Sequence, residues 1–176
     1  MDLLLRFKPW HLFFLLLIPV VFSWFSRFTS IWDSIFFVFY TGWAYAIGLK
    51  MNSLLPLAIR PGTRYLKIQY WLLIGVTLFT YNILPYSRFF RYGYAYNTSY
   101  SIVFLIVFAY LQFSIWMFAA RMLESMIEGE IVNRSDSLKT FFCFWFFPIG
   151  VFQIQPAVQR VLTKYESSAT STDSST

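Results

Sequence analysis

Residues Tyr100–Ala120 run for 21 positions without a formal charge. A helix of that length, at about 1.5 Å per residue, covers the roughly 30 Å hydrocarbon core of a bilayer. This run predicts a membrane-spanning helix, and the composition agrees. Only 12% of residues are charged and 58% are hydrophobic, with a mean hydropathy of +0.56; soluble proteins carry roughly 25% charged residues. The charges cluster between apolar runs, as in a threaded chain. At 176 residues the length suits one bundle of short helices, residues 1–165, without a separate soluble domain.

Three further runs fit spans: Trp10–Phe25, Ile31–Leu49 and Ile68–Pro85. The first follows Arg6 and Lys8 and has no small-x-small cleavage pair after it, so it reads as a signal-anchor rather than a removable leader. Pro19 removes one backbone hydrogen bond from it, which a helix in a bundle tolerates. The second carries small residues at Gly42, Ala44, Ala46 and Gly48, where another helix can approach closely. The third has Gln69 and Asn82 near its ends. The loop Tyr86–Thr98 is rich in tyrosine and is expected in the headgroup zone.

Lys50–Lys67 carries four basic residues, Lys50, Arg60, Arg64 and Lys67, and no acid. Pro56 and Pro61-Gly62 interrupt it. It is expected to lie on the membrane surface against anionic headgroups. Nucleic acid is a poorer explanation of the net charge of +6, because the basic residues flank apolar runs.

Beyond Ala120 the same helix is expected to continue, with Met122, Leu123, Met126 and Ile127 on one face and Arg121, Glu124, Ser125 and Glu128 on the other. Gly129 is the expected stop, and Ser135 or Asp136 the expected cap of the next helix. The following apolar segment, Thr140–Ile154, has 15 residues and would reach only about 22 Å as a helix. Pro148 and Gly150 favour a break in it. The expectation is an all-α transmembrane helical bundle with four spans plus a short re-entrant or interfacial element. A fifth spanning helix is the alternative. Positive charges place the N-terminus and the Lys50–Lys67 loop in the cytoplasm. The Ser/Thr-rich stretch 166–176 is expected to be disordered.

The stretch Phe118–Arg160 resembles the C-terminal signature of an uncharacterised family of small polytopic membrane proteins of Bacteroidetes-type bacteria. That signature has a helix ending in Phe-Ala-Ala-Lys-x-Leu, an acidic residue, an aromatic run ending in Trp-Phe-Phe-Pro-Ile-Gly, and then Gln-Pro. Its counterparts here are Phe118-Ala119-Ala120-Arg121-Met122-Leu123-Glu124, Phe144-Trp145-Phe146-Phe147-Pro148-Ile149-Gly150, and Gln155-Pro156. The match covers about a quarter of the chain. It departs after Pro156, where the family continues with a basic residue and an asparagine but this chain has Ala157-Val158-Gln159-Arg160. The resemblance implies a helical protein of the bacterial cytoplasmic (inner) membrane and carries no activity with it.

Candidate site residues are few. Asp33 lies near the start of the second run, within reach of Arg27. A carboxylate deep in lipid would signal ion handling, but this one is placed at the interface. Glu124 and Glu128 share a helix face and can hold a cation or flank a substrate, while Arg121 offers Glu124 a plain i,i+3 pair. Pro148, Gly150, Gln155 and Pro156 shape the backbone, and a broken helix at membrane depth can also line a transport path. The single histidine, His11, reads as an interfacial residue, and Cys143, Met122 and Met126 as packing residues. A phosphate-binding Gly-rich loop, a Gly-x-Ser-x-Gly elbow and a His-Glu-x-x-His motif are all missing, and no cofactor or metal set is recognisable. The expected function is therefore an accessory or homo-oligomeric membrane subunit acting through contacts. A small transporter or channel component and a lipid-modifying enzyme are the alternatives.

Overall fold

A computed structural model describes residues 2–25, 29–79 and 98–173, and those residues contain helices and no strand. The described helices are α1 (Asp2–Arg6), α2 (Pro9–Phe25), α3 (Thr29–Leu54), α4 (Arg64–Leu78), α5 (Thr98–Glu128), α6 (Leu138–Trp145) and α7 (Ile149–Asp173). Arg27, Asn82, the end of the third expected span and residues 86–97 of the tyrosine-rich loop lie outside the described residues.

Local chemistry sets several boundaries. α2 runs through Pro19. α3 stops at Leu54, two residues before Pro56. Its open end is capped by Arg60, whose guanidinium donates to the Ser53 carbonyl at 2.5 Å and the Leu55 carbonyl at 2.8 Å. α4 starts only after Pro61-Gly62. α5 ends at Glu128 because Gly129 turns left-handed, with φ 81°, and its N–H reaches the Ser125 carbonyl at 3.0 Å.

The chain divides into two compact units. The middle unit comprises Phe14–Tyr45 and Gly62–Trp116; the terminal unit comprises Met1–Phe13, Ala46–Pro61 and Met117–Thr176.

In the middle unit the buried residues include Tyr40, Trp43, Tyr70, Leu73, Leu111 and Ile115, together with the polar Ser34, Thr41, Thr77 and Gln112. The Thr41 hydroxyl donates to Gln112 Oε1 at 3.0 Å, joining α3 to α5, and Ser114 donates to Gln69 Oε1 at 3.0 Å, joining α5 to α4. Tyr45 and Tyr70 stack with centroids 4.0 Å apart. Gly42 permits this approach, since a Cβ there would stand 3.2 Å from the Tyr70 hydroxyl. Large apolar side chains cover the outside: Phe14, Ile18, Phe22, Trp24 and Phe25 on α2, Ile68, Trp71 and Leu72 on α4, Leu105 and Ile106 on α5. Trp24 and Phe25 are 82% and 84% exposed.

The terminal unit has a conventional apolar core of Leu5, Leu12, Ile47, Met51, Leu55, Met122, Leu123, Phe144, Val151, Ile154 and Val158. α6 and α1 both pack on α7. Gly48 lets α3 meet α5: a Cβ there would fall 2.9 Å from the Phe118 ring and 3.4 Å from Ala119 Cα. Gly42 and Gly48 of the small-residue stripe thus serve packing inside the chain.

Among the described residues one helix, Leu105–Glu128 of α5, is long and apolar enough to cross a membrane; α2 is apolar but has 17 residues. The segment 140–154 is not one helix. It breaks after Trp145, passes a cis Phe147–Pro148 peptide, and resumes at Ile149. α7 then continues through Pro156 to Asp173, so residues 166–173, expected to be disordered, are helical. Ser135 and Asp136 do not cap α6. The Ser135 hydroxyl donates to the Asp136 carboxylate, and the cap position falls to Ser137, which makes no side-chain capping bond.

Candidate functional site

The C-terminal motif residues gather in the terminal unit. Gln155 is 0% exposed, and its Nε2 donates to the carbonyls of Leu4 (3.2 Å), Leu5 (2.9 Å) and Phe7 (2.8 Å). One α7 turn later, Gln159 Nε2 donates to the same Phe7 carbonyl at 2.7 Å. A helix end leaves carbonyls without intrahelical donors. Two amides on one face of α7 supply them for the five-residue α1. Arg6 and Glu166 add an ion pair at 3.4 Å on the exposed flank. Pro156, next to the clasp, is half-buried inside α7 and leaves one backbone acceptor without its usual donor.

Gly150 is the tightest position of the break. A Cβ there would stand 1.7 Å from the Cys143 carbonyl oxygen, so α7 begins directly against the α6 backbone. Pro148 is exposed beside it. Phe147 and Phe152 flank the break and meet the start of α2: Trp10–Phe152 centroids lie 4.7 Å apart, Phe13–Phe152 5.3 Å and Phe13–Phe147 6.0 Å. The Cys143 thiol donates to Gln153 Oε1 at 2.9 Å. Burial pushes its pKa up, with Lys139 pulling it down and Glu124 adding to the rise, so the thiol is poorly poised as a nucleophile.

Glu124 and Glu128 do not form a two-carboxylate site. Glu124 is half-buried and accepts a hydrogen bond from the Thr140 hydroxyl of α6, whereas Glu128 is exposed. The expected Arg121–Glu124 pair is absent, because Arg121 Nε donates instead to the Val132 carbonyl at 2.8 Å. The helix face is also rotated from expectation. Ser125 is fully buried, its Oγ accepting from the Val132 N–H at 3.1 Å, while Ile127 is exposed. Met122 is buried in the core and His11 is exposed on α2. Asp33 is half-buried in α3 of the middle unit, and Arg27 lies outside the described residues. Among the described residues no three His, Cys, Asp or Glu side chains come together as a metal set.

The sequence reading passed over two cavities and two buried amide atoms. A cavity of about 380 Å³ lies between the end of α5 and α7, lined by Met126, Ile127, Ala157, Val161, Arg160, Lys164 and Tyr165. A second cavity of about 540 Å³ shares Arg160 and Lys164 and is otherwise lined by Pro156, Gln159, Thr163 and Ser167. Among the described residues, Gln112 of the middle unit, 4% exposed, has an Nε2 with no acceptor, and Asn52 of the terminal unit has an Oδ1 with no donor. The i,i+4 spacing of Arg160 and Lys164, which puts both on one α7 face, was the available signal for the cavities.

Fold and site together define an all-helical protein whose terminal unit is clasped by side-chain amides. No known protein family, curated protein or solved structure matches the chain.

Proposed function

We propose that the chain is a multi-pass protein of the bacterial cytoplasmic membrane that acts through contacts, as an accessory subunit or homo-oligomer. Four spans fall at 10–25, 31–49, 68–85 and 100–120, with the N-terminus and the Lys50–Lys67 loop in the cytoplasm. The observation that carries this reading is the apolar surface of the middle unit, where large Phe, Trp, Ile and Leu side chains of α2, α4 and α5 stand exposed. Its core is mainly apolar too, and the Thr41–Gln112 and Ser114–Gln69 hydrogen bonds join its helices. Lipid suits such a surface, and polar side chains join helices inside a membrane bundle. The break in segment 140–154 supports four spans over five. α6 has eight residues, about 12 Å, and packs back on α7.

The exposed cations Arg64 and Lys67, in the first turn of α4, are the proposed headgroup contacts, while Arg60 is engaged as the α3 cap. Transport draws less support, since aromatic rings fill the break. A lipid-modifying enzyme draws less still, since neither Glu124 nor Glu128 lines either cavity.

A reporter active only in the cytoplasm, fused after Thr176, tests the threading against a periplasm-only reporter. Cytoplasmic activity is the expected result; periplasmic activity overturns the four-span reading. Light scattering of the detergent-purified protein tests the contact role: a monomer with no co-purifying partner counts against it.

A further inference from the structure

We propose that the cavity between the end of α5 and α7, together with the adjoining polar face of α7, forms a binding groove for one anionic phospholipid. The inference rests on the membrane reading above. Arg160 and Lys164 stand between two spaces of opposite character. On one side the wall is Met126, Ile127, Ala157 and Val161, which suits an acyl chain. On the other it is a polar face of α7, Gln159, Thr163 and Ser167, whose donors are held within the protein: the Gln159 amide by the Phe7 carbonyl and the two hydroxyls by the Gln159 and Lys164 carbonyls at 2.9 and 2.8 Å. Charge recognition therefore falls to Arg160 and Lys164, and two cations at the boundary between an apolar and a polar wall match an amphiphile whose negative charge sits where tail meets head. At about 380 Å³ the apolar space falls within the range of small-molecule sites.

Location agrees with chemistry. Met126 and Ile127 lie one to two turns beyond the uncharged run of α5, at the depth where headgroups meet the hydrocarbon. Ile127 is a large apolar residue left half exposed at the end of a charged helix segment, and the groove gives it a partner. Arg160 lies on the exposed side of α7, and the ion pair found among the described residues, Arg6–Glu166, does not involve it.

The test is native mass spectrometry of the full chain in detergent, titrated with phosphatidylglycerol and, separately, phosphatidylcholine. The expected result is one phosphatidylglycerol retained in preference to phosphatidylcholine. R160Q/K164Q should weaken it about 25-fold, as the loss of two interfacial cations implies. I127E should weaken it too, by placing an anion on the tail wall. R134Q/K139Q, which removes two exposed cations given no lipid contact, should leave it unchanged. Equal retention of the two lipids overturns the proposal, as does undiminished binding by R160Q/K164Q or an equal loss in R134Q/K139Q. A chain that stays monodisperse without detergent overturns the membrane reading itself. Detergent dependence without lipid preference overturns the groove alone.

Discussion

Replacing Gln155 with leucine removes the donor that serves the end of α1. Its Nε2 carries two hydrogens and lies within 3.2 Å of three carbonyls, so at least one bond is shared. In Gln155→Leu the Phe7 carbonyl keeps Gln159 at 2.7 Å. The Leu4 and Leu5 carbonyls lose this amide in a place where Gln155 itself is 0% exposed. Each buried group left unsatisfied costs about 1–3 kcal/mol, so a net loss of about 3 kcal/mol is expected. The loss should be local. Amide exchange in α1 and the first turn of α2 should accelerate about a hundredfold, with a smaller change in α4. Gln155→Glu should be worse, since a carboxylate would face three carbonyl oxygens. Exchange followed by mass spectrometry in detergent measures this directly. Unchanged protection of residues 2–13 in Gln155→Leu, or a Gln155→Glu variant as protected as the parent, would refute the clasp.

Gly150→Ala should lose about 3 kcal/mol or more, seen as a fall in melting temperature, because the added carbon meets the Cys143 backbone and no rotamer relieves it. Gly75→Ala, in open space on α4, should be neutral or stabilising by up to about 1 kcal/mol in the same assay. Gln112→Leu takes the acceptor from the buried Thr41 hydroxyl but also removes an amide with no acceptor among the described residues, so the two effects offset in part and the melting temperature should fall by no more than about 5 °C; a larger fall would reveal a partner for that amide. A double-mutant cycle of Glu124→Ala and Thr140→Val, read by thermal unfolding, should give a coupling of about 1.5 kcal/mol.

Features with local causes were legible in the sequence. Gly129 ends α5 because a left-handed turn favours glycine, and Pro56 with Pro61-Gly62 separates α3 from α4 by removing donors and helical angles. Pro148 and Gly150 signalled the break between α6 and α7. Features decided by distant partners were not legible. Arg121 had a neighbour of opposite charge three residues on, yet the Val132 carbonyl, 11 residues away, took its guanidinium. Glu124 went to Thr140, 16 residues away. The role of Gln155 was hidden too, because nothing near it in sequence shows that the carbonyls of residues 4–7 need a donor. The helix runs on through Pro156, and its next turn supplies Gln159.

The clasp joins positions 150 residues apart, and this bears on how the protein is made. Residues leave the ribosome in order, so every segment of the middle unit emerges before Met117. The carbonyls of α1 are synthesised among the first and acquire the Gln155 amide among the last. Closing such a loop from an unstructured chain would cost about 4 kcal/mol of entropy, a penalty that helices already folded in between reduce. Until α7 is released, the amino-terminal helix can be served only by water. A ribosome stalled before residue 155 would thus hold a chain with its middle unit complete and its beginning still unfastened.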